Sequence, residues 1–147
     1  MILSPIASGP VTFTLTHNGS YIGRPGRRPE IEVDVATVTA SNVLRGTVRT
    51  TVLVDSGADY TMLDAAQAGP LGIDLAQCPV GYVSGIEGRA VPVRLARVLM
   101  YLCGRWVDVG VCFKSSQRPQ LLGRQDVFDS LLITFFHQSN DLYASTA

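Results

Sequence analysis

The chain has 147 residues, of which 46% are hydrophobic and only 16% charged, and its formal net charge at pH 7 is zero. This composition is rich enough in apolar residues for the core of one ordinary domain, and it excludes a disordered chain. Balanced charge leaves no global basic surface for nucleic acid or anionic lipid, so neither is expected as a partner.

The amino terminus and the cysteines indicate a protein of the reducing cytoplasm. Residues 1–10 lack a basic segment and a sustained apolar run, and no apolar stretch approaches the roughly 20 residues of a membrane helix. Cys78, Cys103 and Cys112 are odd in number and lack metal-ligand spacing, which argues against a disulfide framework or a zinc site. We therefore expect a cytoplasmic protein with no membrane association, no metal and no cofactor.

Strand patterns dominate the first third of the chain. Residues 11–16 and 31–38 alternate polar and apolar side chains, which is typical of half-buried strands. Between them, residues 19–30 carry glycines, prolines and three arginines. The arginines are candidates for contact with an acidic partner, but a solvated loop is the favoured interpretation in the absence of a wider basic patch.

Residues 51–63 contain the most informative motif. The apolar residues at 52–54 predict a strand buried on both faces, and the strand ends in Asp55-Ser56-Gly57, the only Asp-Ser/Thr-Gly in the chain. An ordinary turn is the alternative, because Asp, Ser and Gly all favour turns. Apolar residues follow the motif as well as precede it, so we expect an interior site. An acid in such a place needs a group that shares its charge or proton.

A second copy of the chain is one source of that group. Aspartic peptidases hold two Asp carboxylates roughly 3 Å apart, so that the pair shares one proton, with one acid acting as base on the attacking water. A chain with a single such Asp must dimerise to build this pair. Serine catalysis is disfavoured, because His17 and His137 lie in no motif that would bring an imidazole to the Ser56 hydroxyl.

The second half of the chain predicts hairpins. After Leu63, Gly69-Pro70 allows at most one short helical turn. Residues 80–83 and 90–102 are rich in apolar side chains and flank a tip with two glycines, which predicts a β-hairpin. Two further strands are expected around residues 97–103 and 106–113.

The carboxy-terminal part predicts the only helix. Residues 125–132 form the candidate, with Asp126 in the first turn, where the helix dipole favours an anion. Residues 133–136 predict a closing strand. Residues 138–147 are expected to form a frayed or interface-forming tail.

Leu121-Leu122-Gly123-Arg124 repeats the pattern of the Asp55 strand, with two apolar residues followed by a glycine that lets the backbone approach a neighbour closely. Alone it would be a strand-to-helix turn. With Asp55-Ser-Gly and the glycine-rich hairpin it forms an ordered set of three segments. On these segments the chain resembles retropepsins, the retroviral-type aspartic proteases of viruses, retroelements and cellular and bacterial relatives, over about residues 31–136.

The resemblance implies a fold, an assembly and an activity. The fold would be an all-β, closed, retropepsin-like domain with one short C-terminal helix, in which residues 1–147 form a single domain and residues 1–30 an extension. Two chains would form a two-fold homodimer that hydrolyses peptide bonds in a peptide or protein substrate. The alternative is a catalytically inactive dimeric peptide-binding module of the same fold, against which the intact Asp-Ser-Gly argues.

The resemblance also implies roles for individual residues. Asp55 would be the catalytic acid and base, Ser56 would form a hydrogen bond across the pair, and Gly57 would let the two loops approach. Arg124 would pair with Asp59 behind the cleft, in a partly buried ion pair. The residues that would contact substrate or belong to the flap are Leu53, Ala58, Asp59, Met62, Val83, Gly85, Ile86, Pro119 and Leu121.

Two features depart from the viral pattern. Glu87 stands at the tip of the predicted flap, where viral members usually have a small residue, and it would stiffen the hairpin or make its opening sensitive to pH. The segment before residue 31 is longer than in a minimal viral protease, in which the termini build a sheet across the dimer.

Overall fold

The computed structural model describes residues 16–20, 28–85, 88–136 and 141–146. This part of the chain is built mostly from strands, so the all-β prediction is confirmed. The strands are β1 (Thr16–Ser20), β2 (Glu30–Val38), β3 (Leu44–Val54), β4 (Thr61–Asp64), β5 (Val80–Ser84), β6 (Ala90–Leu102), β7 (Arg105–Lys114), β8 (Leu121–Leu122), β9 (Leu131–Phe136) and β10 (Asp141–Thr146).

Seven strands form the main sheet, in the order β2-β3-β8-β4-β7-β6-β5. The sheet also closes on itself, because β2 pairs with β6 through Val35 opposite Met100 and Ala36 opposite Leu99. The length of β6, 13 residues, makes this possible. One edge of β6 pairs with β5 near its start and with β2 near its end, while the other edge pairs with β7.

The closed sheet surrounds a core of aliphatic side chains. The predicted alternation of residues 31–38 is confirmed in β2, where Ile31, Val33 and Val35 all point into this core. Val52 and Val54 in β3 are also buried, but Leu53 between them is only half-buried. The prediction that this strand is fully buried on both faces is therefore wrong, and the face that carries Leu53 is partly open.

One long strand replaces the two that were expected between residues 90 and 103. β6 continues through the whole of this segment because it has partners along its length. It turns into β7 at Cys103 and Gly104, which both have positive φ, at 53° and 75°. Two residues of this conformation form the tight turn that matches the twist of paired strands.

The predicted helix at residues 125–132 is wrong in extent. The chain makes a single helical turn at Arg124–Phe128, within which Gln125 has an extended ψ of 132° and Asp126 a left-handed φ of 67°. β9 then begins at Leu131. Strand pairing with β10 outweighs the helical preference of this apolar segment. Two other short turns, Ala65–Gln67 and Leu75–Gln77, are capped by the carboxylates of Asp64 and Asp74.

The second sheet has three antiparallel strands, in the order β1-β10-β9. Residues 141–146 form its central strand, so the expectation of a frayed tail is wrong for them. Most of the predicted strand at 11–16, most of the arginine-containing loop, Ile86 and Glu87 lie outside the described residues. Within those residues, none of the helical turns is long and apolar enough to span a bilayer.

Candidate active site

The site is built where the two-residue strand β8 lies between β3 and β4. Leu53 and Val54 pair in parallel with Leu121 and Leu122, and Met62 pairs with Leu121 from the other side. The ladder continues past the end of β3, because the Asp55 amide donates to the Leu122 carbonyl at 3.0 Å. The Asp55 backbone is therefore held by strand pairing as the chain enters its turn.

The turn orients the Asp55 carboxylate. Its Oδ1 accepts a hydrogen bond from the Gly57 amide at 2.8 Å, and the Asp55 carbonyl accepts one from the Ala58 amide at 3.2 Å. A Cβ on residue 57 would lie 3.2 Å from the same Oδ1, so glycine suits this close approach. Asp55 is half-buried, whereas Ser56 and Gly57 are exposed. The carboxylate is thus fixed in direction and accessible from one side.

The Leu-Gly-Arg segment packs directly against the turn. The Gly123 amide donates to the Thr61 hydroxyl at 3.1 Å. The next two amides, of Arg124 and Gln125, each donate at 2.9 Å to the carbonyls of Ala58 and Asp59. A Cβ at Gly123 would lie 2.4 Å from the carbonyl carbon and oxygen of Tyr60. Only glycine allows the two segments to approach this closely.

The side chains of Arg124 and Asp59 also meet. The guanidinium donates a hydrogen bond to the carboxylate and forms an ion pair with it, across 65 positions in sequence. Both side chains are exposed, at 56% and 65% of their surface. The expectation of partial burial is wrong for this chain, because neither side chain turns towards the core from the surface loop that carries it.

Three of the predicted pocket residues form one row. Leu53, Leu121 and Met62 face each other on β3, β8 and β4, and all three are half-buried. Alternate residues along a strand share a face, so Asp55, two positions after Leu53, follows on the same face as this row. The structure thus brings an apolar strip up to the carboxylate.

The other predicted contact residues are more scattered. Ala58 and Pro119 are half-buried, and Gly85, just after β5, is exposed. Val83 lines a cavity of about 380 Å³ together with Tyr60, Leu95 and Val111. This cavity lies between the β5–β6 hairpin and Tyr60, the last residue of the Asp55 loop before β4.

Sequence reasoning missed Gln120, which ties the site together. Its buried side chain accepts from the Asp64 amide at 2.9 Å and donates to the Thr50 hydroxyl at 2.7 Å and the Thr51 carbonyl at 2.9 Å. It therefore crosslinks β3 and β4 next to β8. The available signal was a polar residue directly before the apolar pair Leu121-Leu122.

Among the described residues, no group of three or more His, Cys, Asp or Glu side chains is arranged to hold a metal ion. No protein-family model matches the chain. A comparison with curated proteins finds no significant sequence match.

Proposed function

We propose that this chain is an aspartic endopeptidase of the retropepsin type, active as a homodimer. The observation that supports this most is the position of Asp55, directly after the buried Val54 at the end of β3, with its carboxylate oriented by the Gly57 amide and its turn supported by the Leu-Gly-Arg segment. Such support on backbone hydrogen bonds is what an acid needs if it is to act on a water molecule in a fixed place.

The second carboxylate of the reaction is Asp55 of another copy. Two acids at close range share one proton, since both cannot ionise together, and this leaves one as general base and the other as general acid. The base takes a proton from a water that attacks the peptide carbonyl, and the acid protonates the developing oxyanion. The resulting tetrahedral diol collapses as the C–N bond breaks: the former base gives its proton to the leaving nitrogen, and a hydroxyl proton returns to the other carboxylate. No covalent bond to the enzyme forms. The exposed Ser56 and Gly57 are the residues at which the two turns meet.

The substrate is an extended peptide. Such a chain gains affinity by pairing its backbone with strand edges, while side-chain pockets provide selectivity. In this proposal the β5–β6 hairpin covers the peptide, and the row of Leu53, Leu121 and Met62 contacts its side chains beside the bond that is cut. A half-buried apolar row favours apolar residues at those positions of the substrate.

The decisive experiment measures cleavage of a pool of peptides with apolar residues around the central bond, at several pH values, with products identified by mass spectrometry. Asp55→Asn is nearly isosteric and cannot cycle as acid and base, so it should abolish cleavage and leave the fold intact. Asp108→Asn, a change at an exposed aspartate on β7, is the matched control and should cleave like the wild type.

Two outcomes would overturn the proposal. Peptide binding by the wild type with no cleavage at any pH would make the chain an inactive dimeric binding module. Undiminished cleavage by purified Asp55→Asn would assign the reaction to another group.

A further inference from the structure

Asp126 adopts a backbone conformation that needs an explanation. Its φ of 67° lies in the left-handed region, which few residues other than glycine enter, although Asn and Asp do so more often than most. It stands in the middle of the turn at Arg124–Phe128, and 27% of its side chain is exposed. Surrounding contacts must hold such a residue in place.

Those contacts are made by the carboxylate. Its Oδ2 accepts a hydrogen bond from the Gly110 amide in β7 at 2.8 Å and a longer one from the Arg97 guanidinium in β6 at 3.4 Å. Arg97 also donates to Asp108 at 2.9 Å. Hydrogen bonds that involve a charged partner are the stronger ones. Asp126 is thus fastened to two strands of the main sheet.

At the point of attachment β7 is paired with β6 through Gly110 and Arg97, but β4 does not yet pair with its other edge. The paired residues of β4 and β7 begin at Thr61 opposite Val111, so Gly110 is the residue just before this ladder. The Asp126 carboxylate takes its amide instead. A Cβ on residue 110 would lie 3.3 Å from both the Arg97 Nη1 and the Asp126 Oδ2, so glycine leaves room for the carboxylate.

The other end of the turn supports the candidate active site. The amides of Arg124 and Gln125, immediately before Asp126, donate to the carbonyls of Ala58 and Asp59. A continuous set of contacts therefore runs from β6 and β7 through Asp126 to the turn that carries Asp55. Since β6 is also one arm of the β5–β6 hairpin, the same contacts connect that hairpin to the acid.

We propose that Asp126 is a positioning residue for Asp55: by binding Gly110 and Arg97, its carboxylate fixes the Arg124–Phe128 turn against the Asp55 turn. The catalytic part of this inference rests on the proposed peptidase function. The structural part rests on the contacts alone, so the two are tested separately.

Two variants separate the contact from the backbone conformation. Asp126→Gly accepts a positive φ and removes the carboxylate. Asp126→Asn also tolerates a positive φ, keeps an acceptor oxygen for the Gly110 amide and loses the charge that faces Arg97. Asp108→Asn is the matched control, because Asp108 binds the same guanidinium through its side chain. A role that only neutralises Arg97 would affect the Asp108 and Asp126 variants alike.

The first measurement is hydrogen exchange of individual amides, which does not depend on activity. In Asp126→Gly, the Arg124 and Gln125 amides should exchange at least about tenfold faster than in the wild type, because the turn loses a charge-assisted hydrogen bond. The core amides of β2 and β3 should keep their protection. Asp126→Asn should show a smaller effect, and Asp108→Asn none. Unchanged exchange in Asp126→Gly, or equal loss in Asp108→Asn, would overturn the inference.

The second measurement is steady-state cleavage at a temperature where every variant is folded. Misplacement of a reacting group by about 1 Å costs up to about a hundredfold in rate, so Asp126→Gly should lower kcat by about ten- to a hundredfold with little change in KM. Faster exchange with unchanged kcat would reduce Asp126 to a structural residue. A wild type that cleaves nothing would instead refute the peptidase, while the exchange result still decides how the turn is held. If Asp126→Gly does not fold, Asp126→Asn is compared with the wild type in both the exchange and the cleavage measurements.

Discussion

At the residue scale, the candidate site depends on main-chain groups more than on side chains. The Asp55 carboxylate is oriented by the Gly57 amide, and its turn is held through the carbonyls of Ala58 and Asp59. Substitution of the Asp59 side chain therefore leaves these backbone hydrogen bonds in place. The ion pair of Asp59 and Arg124 adds to it from the solvent side.

The exposure of that pair sets the size of its effect. Exposed ion pairs are typically worth 0.2 to 1 kcal/mol, so Arg124→Ala should lower the unfolding free energy of the single chain by about 1 kcal/mol or less. A double-mutant cycle with Asp59→Ala, measured by urea unfolding, should show coupling of that order. Strictly additive effects would contradict the contact.

The control for this cycle is Arg49→Ala, which removes an ion pair between Arg49 on β3 and Asp34 on β2, whose side chains are 67% and 38% exposed. If the proposed dimer covers Arg124, the coupling measured for the Asp59–Arg124 pair should rise with protein concentration. The coupling between Arg49 and Asp34 should not change with concentration.

A buried thiol predicts a stability change at alkaline pH. Cys112 is 4% exposed, and burial raises the pKa of its thiol above the ordinary 9.0. The unfolded chain therefore releases this proton at a lower pH than the folded chain. The contribution is fully present below the unfolded pKa and is lost as pH rises through the folded pKa.

Urea unfolding from about pH 8 to about pH 10 tests this, because that range contains the ordinary thiol pKa. The unfolding free energy of the wild type should fall more steeply with pH than that of Cys112→Ala. Parallel curves would show that burial of the thiol does not influence stability.

At the element scale, the two-residue strand β8 organises the site. It pairs with β3 on one side and β4 on the other, and the buried Gln120 just before it bonds to both neighbouring strands. The segment after it can reach the Asp55 turn only because Gly123 has no side chain. A short element thus joins two distant segments by main-chain contact.

Gly123→Ala should disrupt this element. The added Cβ would lie 2.4 Å from main-chain atoms of Tyr60, which cannot rotate away. Overpacking of this kind typically costs about 1 to 3 kcal/mol, and here it also displaces the Asp55 turn. Gly69→Ala is the control, because a Cβ there would have no neighbour within 4 Å. Equal unfolding free energies for the two variants would contradict the tight packing.

At the scale of the whole molecule, the closed sheet presents one Asp55 per chain. The proposed reaction needs two, so the second must come from a symmetric partner. β10 pairs with β1 on one side and β9 on the other within the chain. The proposed dimer would therefore need another interface than the edges of β10, unlike the interface that the resemblance to viral members implies.

Peptidase activity should accordingly depend on concentration. Specific activity should fall as the protein is diluted through the dissociation constant of the dimer, because a monomer has no proton-sharing pair. Sedimentation at the same concentrations should show the loss of dimer in parallel. A fully active monomer would contradict the proposed assembly.

Local features of this protein could be predicted from its sequence. Alternation along residues 31–38 predicted the core face of β2, and glycines predicted the β5–β6 hairpin, because strand period and turn chemistry are properties of neighbouring residues. The position of Asp55 at the end of an apolar strand was visible for the same reason.

Features that depend on residues far apart in the chain emerged only from the fold. Pairing of β8 with β3 and β4 places Leu53, Leu121 and Met62 in one row, and pairing of β9 with β10 ends the expected helix early. The left-handed conformation of Asp126 follows from its bond to Gly110, which no local pattern contains. The exposure of the Asp59–Arg124 pair likewise could not be predicted from the sequence, because burial is set by the whole fold and not by the neighbouring residues in the chain.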